Sequence, residues 1–125
     1  MKARRSLELL MWAGIFGAPL AWATQHVFGI GLTLAGCGAG SASWNVPIDS
    51  WAAIASIVAA ALALGGLAAS VLTFRAMRGV EQDSPPPEGR IYFLSICGMV
   101  ISPIFIAIIA MSGIATVVLT NCRQG

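Results

Sequence analysis

Charge is what this sequence has least of. Only 10% of its 125 residues are Asp, Glu, Lys or Arg, against about 25% in a typical soluble domain. The net charge of +2 is too small to point to nucleic-acid binding. There is one histidine, His26, so the chain supplies no second imidazole for a bis-histidine haem. The apolar stretches contain no acid–base pair, since Glu8 and Asp49 lie at their edges. There is no internal repeat and no polar stretch long enough for a soluble domain. What remains is apolar: 58% of the residues are hydrophobic and mean hydropathy is +0.85. This is the composition of a membrane protein.

Three apolar blocks predict an all-α membrane protein with three transmembrane helices. The spans run over about residues 9–35, 51–74 and 91–120, all within a single domain, 1–125. Each exceeds the roughly 20 residues that a helix needs to cross about 30 Å of hydrocarbon. Pro19 and Pro103 mark places where the long first and third helices can bend. Residues 36–50, GCGAGSASWNVPIDS, carry one acid and no base; residues 75–90, RAMRGVEQDSPPPEGR, carry three arginines. The Pro-Pro-Pro run reads as a stiff polar turn. MKARR adds three further bases at the N-terminus. The positive-inside rule puts MKARR and the second connection in the cytoplasm. The first connection and the C-terminal tail then lie on the periplasmic or extracytoplasmic side, with Arg123 the one base there. The expected location is the bacterial cytoplasmic membrane.

MKARR followed by an apolar stretch and Ala21-Trp22-Ala23 also fits a signal peptide with its A-x-A cleavage site. Two features oppose that reading. The apolar stretch continues to Ala35, and Trp22 and Pro19 make the segment long and stiff. It is read as a permanent first helix.

Gln25 and His26 form a polar pair inside that helix. Polar groups at such depth are costly unless partnered, so both are candidate cofactor-binding residues. A neutral imidazole, expected here to be buried, can ligate haem or copper or hydrogen-bond a quinone. Met111, Cys37 and Cys122 could complete a copper site, but no local spacing groups them. The competing reading is that the pair bonds a neighbouring helix, a lipid headgroup or a partner protein.

Small residues line the spans, as helix contacts in lipid require. Ala52, Ser56, Ala59, Ala63, Gly66 and Ser70 follow spacings of four and three along one face of the second span. Gly65 and Ala69 widen the line. Gly14, Ala18, Ala21 and Gln25 make a similar line in the first span. Ser95, Gly98, Ser102, Ile109, Ser112 and Thr116 make a partial one in the third. Gly17, Pro19 and Trp22 join the candidate packing residues: a bend, a close approach and a ring to fill the space opened. These faces can close a three-helix bundle, dock a partner, or do both.

Cys37 follows the first span and Cys122 the third, on the same expected side and in an oxidising compartment. A Cys37–Cys122 disulfide is the favoured reading. Free thiols and a two-cysteine metal site are the alternatives, the latter lacking further ligands. Cys97 lies inside the third span and reads as a small apolar residue.

Trp12, Gly17, Pro19-Leu20-Ala21-Trp22-Ala23 and Gln25, a cysteine after the first span and a last span ending in Cys122 together resemble a group of small bacterial membrane proteins. Those proteins are encoded beside haem–copper cytochrome oxidase subunits and their assembly factors. This chain departs from the group in the alanine between Gly17 and Pro19 and in the histidine at position 26. The resemblance implies a non-catalytic accessory or assembly subunit of a respiratory oxidase. Such a subunit has no cofactor of its own, with haem and copper in the larger integral subunits that are its partners, alongside lipids. Two other functions compete with it. One is a redox-cofactor subunit binding haem or quinone through His26. The other is a small proton-coupled transporter using Glu8.

Overall fold

The structure, a computed structural model, describes residues 2–38, 47–81, 83–119 and 122. Three helices make it up: α1, Lys2–Gly36; α2, Ile48–Ala76; and α3, Glu88–Val118. No strand occurs among the described residues. All three helices are long and apolar enough to cross a membrane, and the chain is a multi-pass membrane protein.

The helix ends differ from the apolar spans for a physical reason. α1 begins at Lys2, seven residues before Leu9. Lys, Arg, Leu and Glu are good helix formers whether or not they sit in hydrocarbon, so hydropathy marks the span and not the helix. α3 ends at Val118, two residues before the expected limit; Thr120 lies outside the described residues. Pro19 and Pro103 both fall inside helices that continue past them. α2 closes at Ala76 with Met77 N–H donating to Thr73 O at 3.1 Å. Two residues on, Gly79 takes a φ of +98°, a left-handed conformation that glycine adopts without steric cost.

Packing is inside-out compared with a soluble bundle. Most residues between helices are small: Gly14, Ala18 and Ala21 of α1; Ala52, Ala59, Ala63, Gly66, Ala69 and Ser70 of α2; Ser95, Gly98 and Ser102 of α3. Met11, Ile91 and Ile109 are the large ones buried with them. Large aliphatic residues face outward, with Ile57 70% and Val118 72% exposed. In lipid this costs little, because acyl chains solvate leucine and isoleucine as well as a protein interior does.

Three levels hold the bundle. At the charged end, Met11, Met77 and Ile91 form a buried cluster, one residue from each side of the three-way contact. Ion pairs bridge α1 and α3 there in reciprocal sense, Arg4 to Glu88 at 3.1 Å and Arg90 to Glu8 at 3.8 Å. In the middle, Ala18, Ala21, Ala59, Ala63 and Ile109 pack together under Trp22 and Phe105. At the opposite end, Cys37 and Cys122 are disulfide-bonded, with Cα atoms 5.3 Å apart, tying α1 to the residues beyond α3. Cys97 is a half-buried free thiol in α3.

Candidate functional site

Two serines of the α2 line act as wedges between the outer helices. They are fourteen positions apart, about 21 Å along the helix. Ser70 sits nearer the charged end. Its Oγ occupies the space that a Cβ would need at Gly14 of α1 and at Gly98 of α3. Ser70 is 1% exposed and its hydroxyl has no hydrogen-bond partner among the described residues. Beside it, Ser102 Oγ donates to Gly14 O at 3.3 Å, so α3 also meets α1 through a polar contact.

Ser56, nearer the disulfide end, is the second wedge. A Cβ at Gly113 of α3 would stand 3.1 Å from Ser56 Cβ. From α1, Gln25 Nε2 donates to Ser56 Oγ at 2.8 Å. Ser56 Oγ in turn donates to Ala52 O at 2.8 Å. That second bond fixes the amide: an oxygen whose proton is committed to Ala52 must accept, so the NH₂ of Gln25 faces it. Gln25 Oε1 is left buried and, among the described residues, without a partner.

The Gln25–Ser56 pair forms the floor of a cavity of about 380 Å³ walled by all three helices. Thr33 of α1 and Ser112 and Thr116 of α3 supply the rest of its polar lining, with His26 at its edge. The cavity lies between two links joining α1 to α3. One is the Trp22–Phe105 ring contact, with centroids 5.6 Å apart. The other is the disulfide.

His26 itself is exposed, which corrects the expectation of a buried imidazole. Gly14, Ala18, Ala21 and Gln25 make the inward stripe of α1, and the next residue lies about 100° further round the helix. The ring of His26 stacks on Trp22 instead, centroids 5.5 Å apart and planes 23° from parallel. No group of three or more His, Cys, Asp or Glu side chains that could hold a metal ion occurs among the described residues. Met111 is 73% exposed and Cys37 is in the disulfide, so neither is drawn to His26.

A second concavity, about 740 Å³, runs along the outside of α1 and α2. Gly17 and Gly66 form its floor: a Cβ at Gly17 would come within 3.1 Å of Gly66 Cα. Phe16, Leu20, Ile54 and Leu62 form its walls. Leu20 and Leu62 remain 61% and 59% exposed, so the groove is open to the membrane.

The remaining candidate residues are spread over these features. Ala52, Ala59 and Ala63 are buried in the interior of the bundle, and Pro19 and Trp22 are half-buried. Phe105, the partner of Trp22, and Thr33, part of the cavity wall, were not legible as site residues. The only available signal was register: Thr33 lies two helical turns beyond Gln25.

Compared with known protein families, curated proteins and solved structures, the chain matches none of them.

Proposed function

We propose that this chain is a non-catalytic subunit of the bacterial cytoplasmic membrane that packs against a larger integral complex, most specifically a haem–copper cytochrome oxidase, as an accessory or assembly factor. In this reading the charged end faces the cytoplasm and the disulfide end faces outward, following the six bases near the charged end against one. Haem and copper belong to the partner subunits.

The observation that supports it most is the groove between α1 and α2. Its glycine floor and apolar walls give an open apolar channel along two membrane-spanning helices. Gly17 and Gly66 already bring α1 against α2. Gly65, which also lines the groove, is exposed with nothing within 4 Å of a Cβ there, so it has no role in closing the three helices. Close backbone approach is what a further transmembrane helix exploits, gaining dispersion contacts that disordered acyl chains do not match. The naming of an oxidase rests on the resemblance of GAPLAWATQ and the two outer cysteines to the oxidase-associated group.

Gly65 offers a clean test. It lines the groove, is exposed, and a Cβ there meets nothing within 4 Å. Gly65→Trp fills the groove while leaving the bundle interior untouched. The wild-type chain should co-purify with oxidase subunits from mildly solubilised membranes, and the variant should not, while keeping its disulfide. An oxidase that assembles and turns over normally in a deletion strain, with no subunit recovered on the tagged chain, would end this reading.

A further inference from the structure

We infer that the cavity above Trp22 and Phe105 is a binding site for a neutral, hydroxyl-bearing amphiphile, whose O–H donates to Gln25 Oε1. This does not rest on the oxidase reading.

The donor and acceptor inventory of the walls selects the ligand class. Four hydroxyls line the cavity, and each has committed its proton to its own helix. Thr33 Oγ1 donates to Gly29 O at 2.9 Å and Ser56 Oγ to Ala52 O at 2.8 Å. Ser112 Oγ donates to Ile109 O at 3.0 Å and Thr116 Oγ1 to Gly113 O at 2.7 Å. What these four side chains turn to the cavity is lone pairs. His26 at the edge adds a ring with one N–H donor and one acceptor, so a hydroxyl, which both donates and accepts, suits the lining as a whole. Gln25 Oε1 adds a buried acceptor with nothing to accept from. Such an atom carries a desolvation penalty that a donor removes. A head offering only acceptors, such as an ester or a quinone carbonyl, would leave that penalty in place.

Depth sets the charge. Gln25 lies eleven residues before the end of α1 at Gly36, about 16 Å along the helix. An ammonium head would have to be desolvated far from the surface, at a cost of several kcal/mol. A phenolic or alcoholic hydroxyl is neutral and donates as well. The volume of about 380 Å³ accommodates one ring or a glycerol unit. Ile30 and Leu34, half or more exposed, carry the α1 wall outward as an apolar path for a tail. A prenyl-type hydroquinone and a diacylglycerol share this chemistry.

The test uses the full chain in phosphatidylcholine nanodiscs, with binding read by native mass spectrometry. The probes are a decyl benzohydroquinone, its bis-methyl ether and dioleoylglycerol. Saturable binding of the hydroquinone or the diacylglycerol is expected, with the methyl ether about tenfold weaker because its donors are gone. Whichever of the two hydroxyl probes binds tighter identifies the source, and equal binding supports the shared chemistry. Gln25→Leu should lower affinity about tenfold. If that variant does not fold, Gln25→Met replaces it. Gly65→Trp should leave binding unchanged, which separates this site from the groove. Equal binding of the methyl ether, no saturable binding of either hydroxyl probe, or full affinity without the amide would each overturn the assignment.

Discussion

Ser70 of α2 presses its hydroxyl against Gly98 of α3, at a point where the structure has room for a hydrogen and no more. Gly14 of α1 meets the same oxygen from the other side. One serine therefore sets how closely all three helices approach.

Adding a methyl at either glycine should force the helices apart. Gly98→Ala or Gly14→Ala should destabilise the bundle by about 1–3 kcal/mol, the usual cost of overpacking. Ser70→Ala alone should be close to neutral, because its Oγ has no hydrogen-bond partner to lose. Paired with Gly98→Ala it should recover part of the loss, since the overlapping atom is gone. A double-mutant cycle read by unfolding in mixed micelles measures the coupling. Strict additivity would mean the oxygen is not the obstacle.

Ser56 and Gln25 should behave unequally although they share a bond. Ser56→Ala removes the one partner of the Gln25 amide among the described residues and should cost about 1–2 kcal/mol. Gln25→Leu removes the amide together with its unpaired oxygen and should cost less. Comparative unfolding of the two variants checks the order.

Losing the disulfide should weaken the end of the bundle farthest from the ion pairs. Cys37→Ser and Cys122→Ser should lower stability equally, since either breaks the same link. The loss should be smaller than the roughly 4–5 kcal/mol of a long loop in a water-unfolded chain, because inserted helices are already confined. In spheroplasts, an impermeant maleimide added after mild reduction should label both thiols. Labelling only from the cytoplasmic side would overturn the proposed orientation.

Glu8 should prove dispensable for transport. It faces Arg90 at 3.8 Å with its side chain 37% exposed, at the charged end of the bundle. Glu8→Gln should change stability by under about 1 kcal/mol, as exposed pairs do. Proteoliposomes of the wild type and of this variant should show the same proton-driven uptake of test solutes, at background.

The number of spans and the disulfide partners were both legible from composition and from where Cys37 and Cys122 fall along the chain. A hydrophobic run long enough for a bilayer leaves the backbone little choice but helix. The environment of His26 was not legible. Its neighbour Gln25 points inward, and which of two adjacent residues does so depends on how α1 is rotated, a choice fixed by glycines on α2 and α3. The unpaired amide oxygen was equally hidden. It follows from Ser56 bonding its own helix, which the line of small residues does not reveal.

The link between Cys37 and Cys122 spans 85 positions and encloses both helix connections, making that stretch a covalent ring. Arg78, exposed in the turn after α2, lies within it. A single nick there would divide the backbone into two fragments, one holding each sulfur. The halves would migrate as one species until a reductant released them, so the ring tolerates a cut that an open chain could not survive intact.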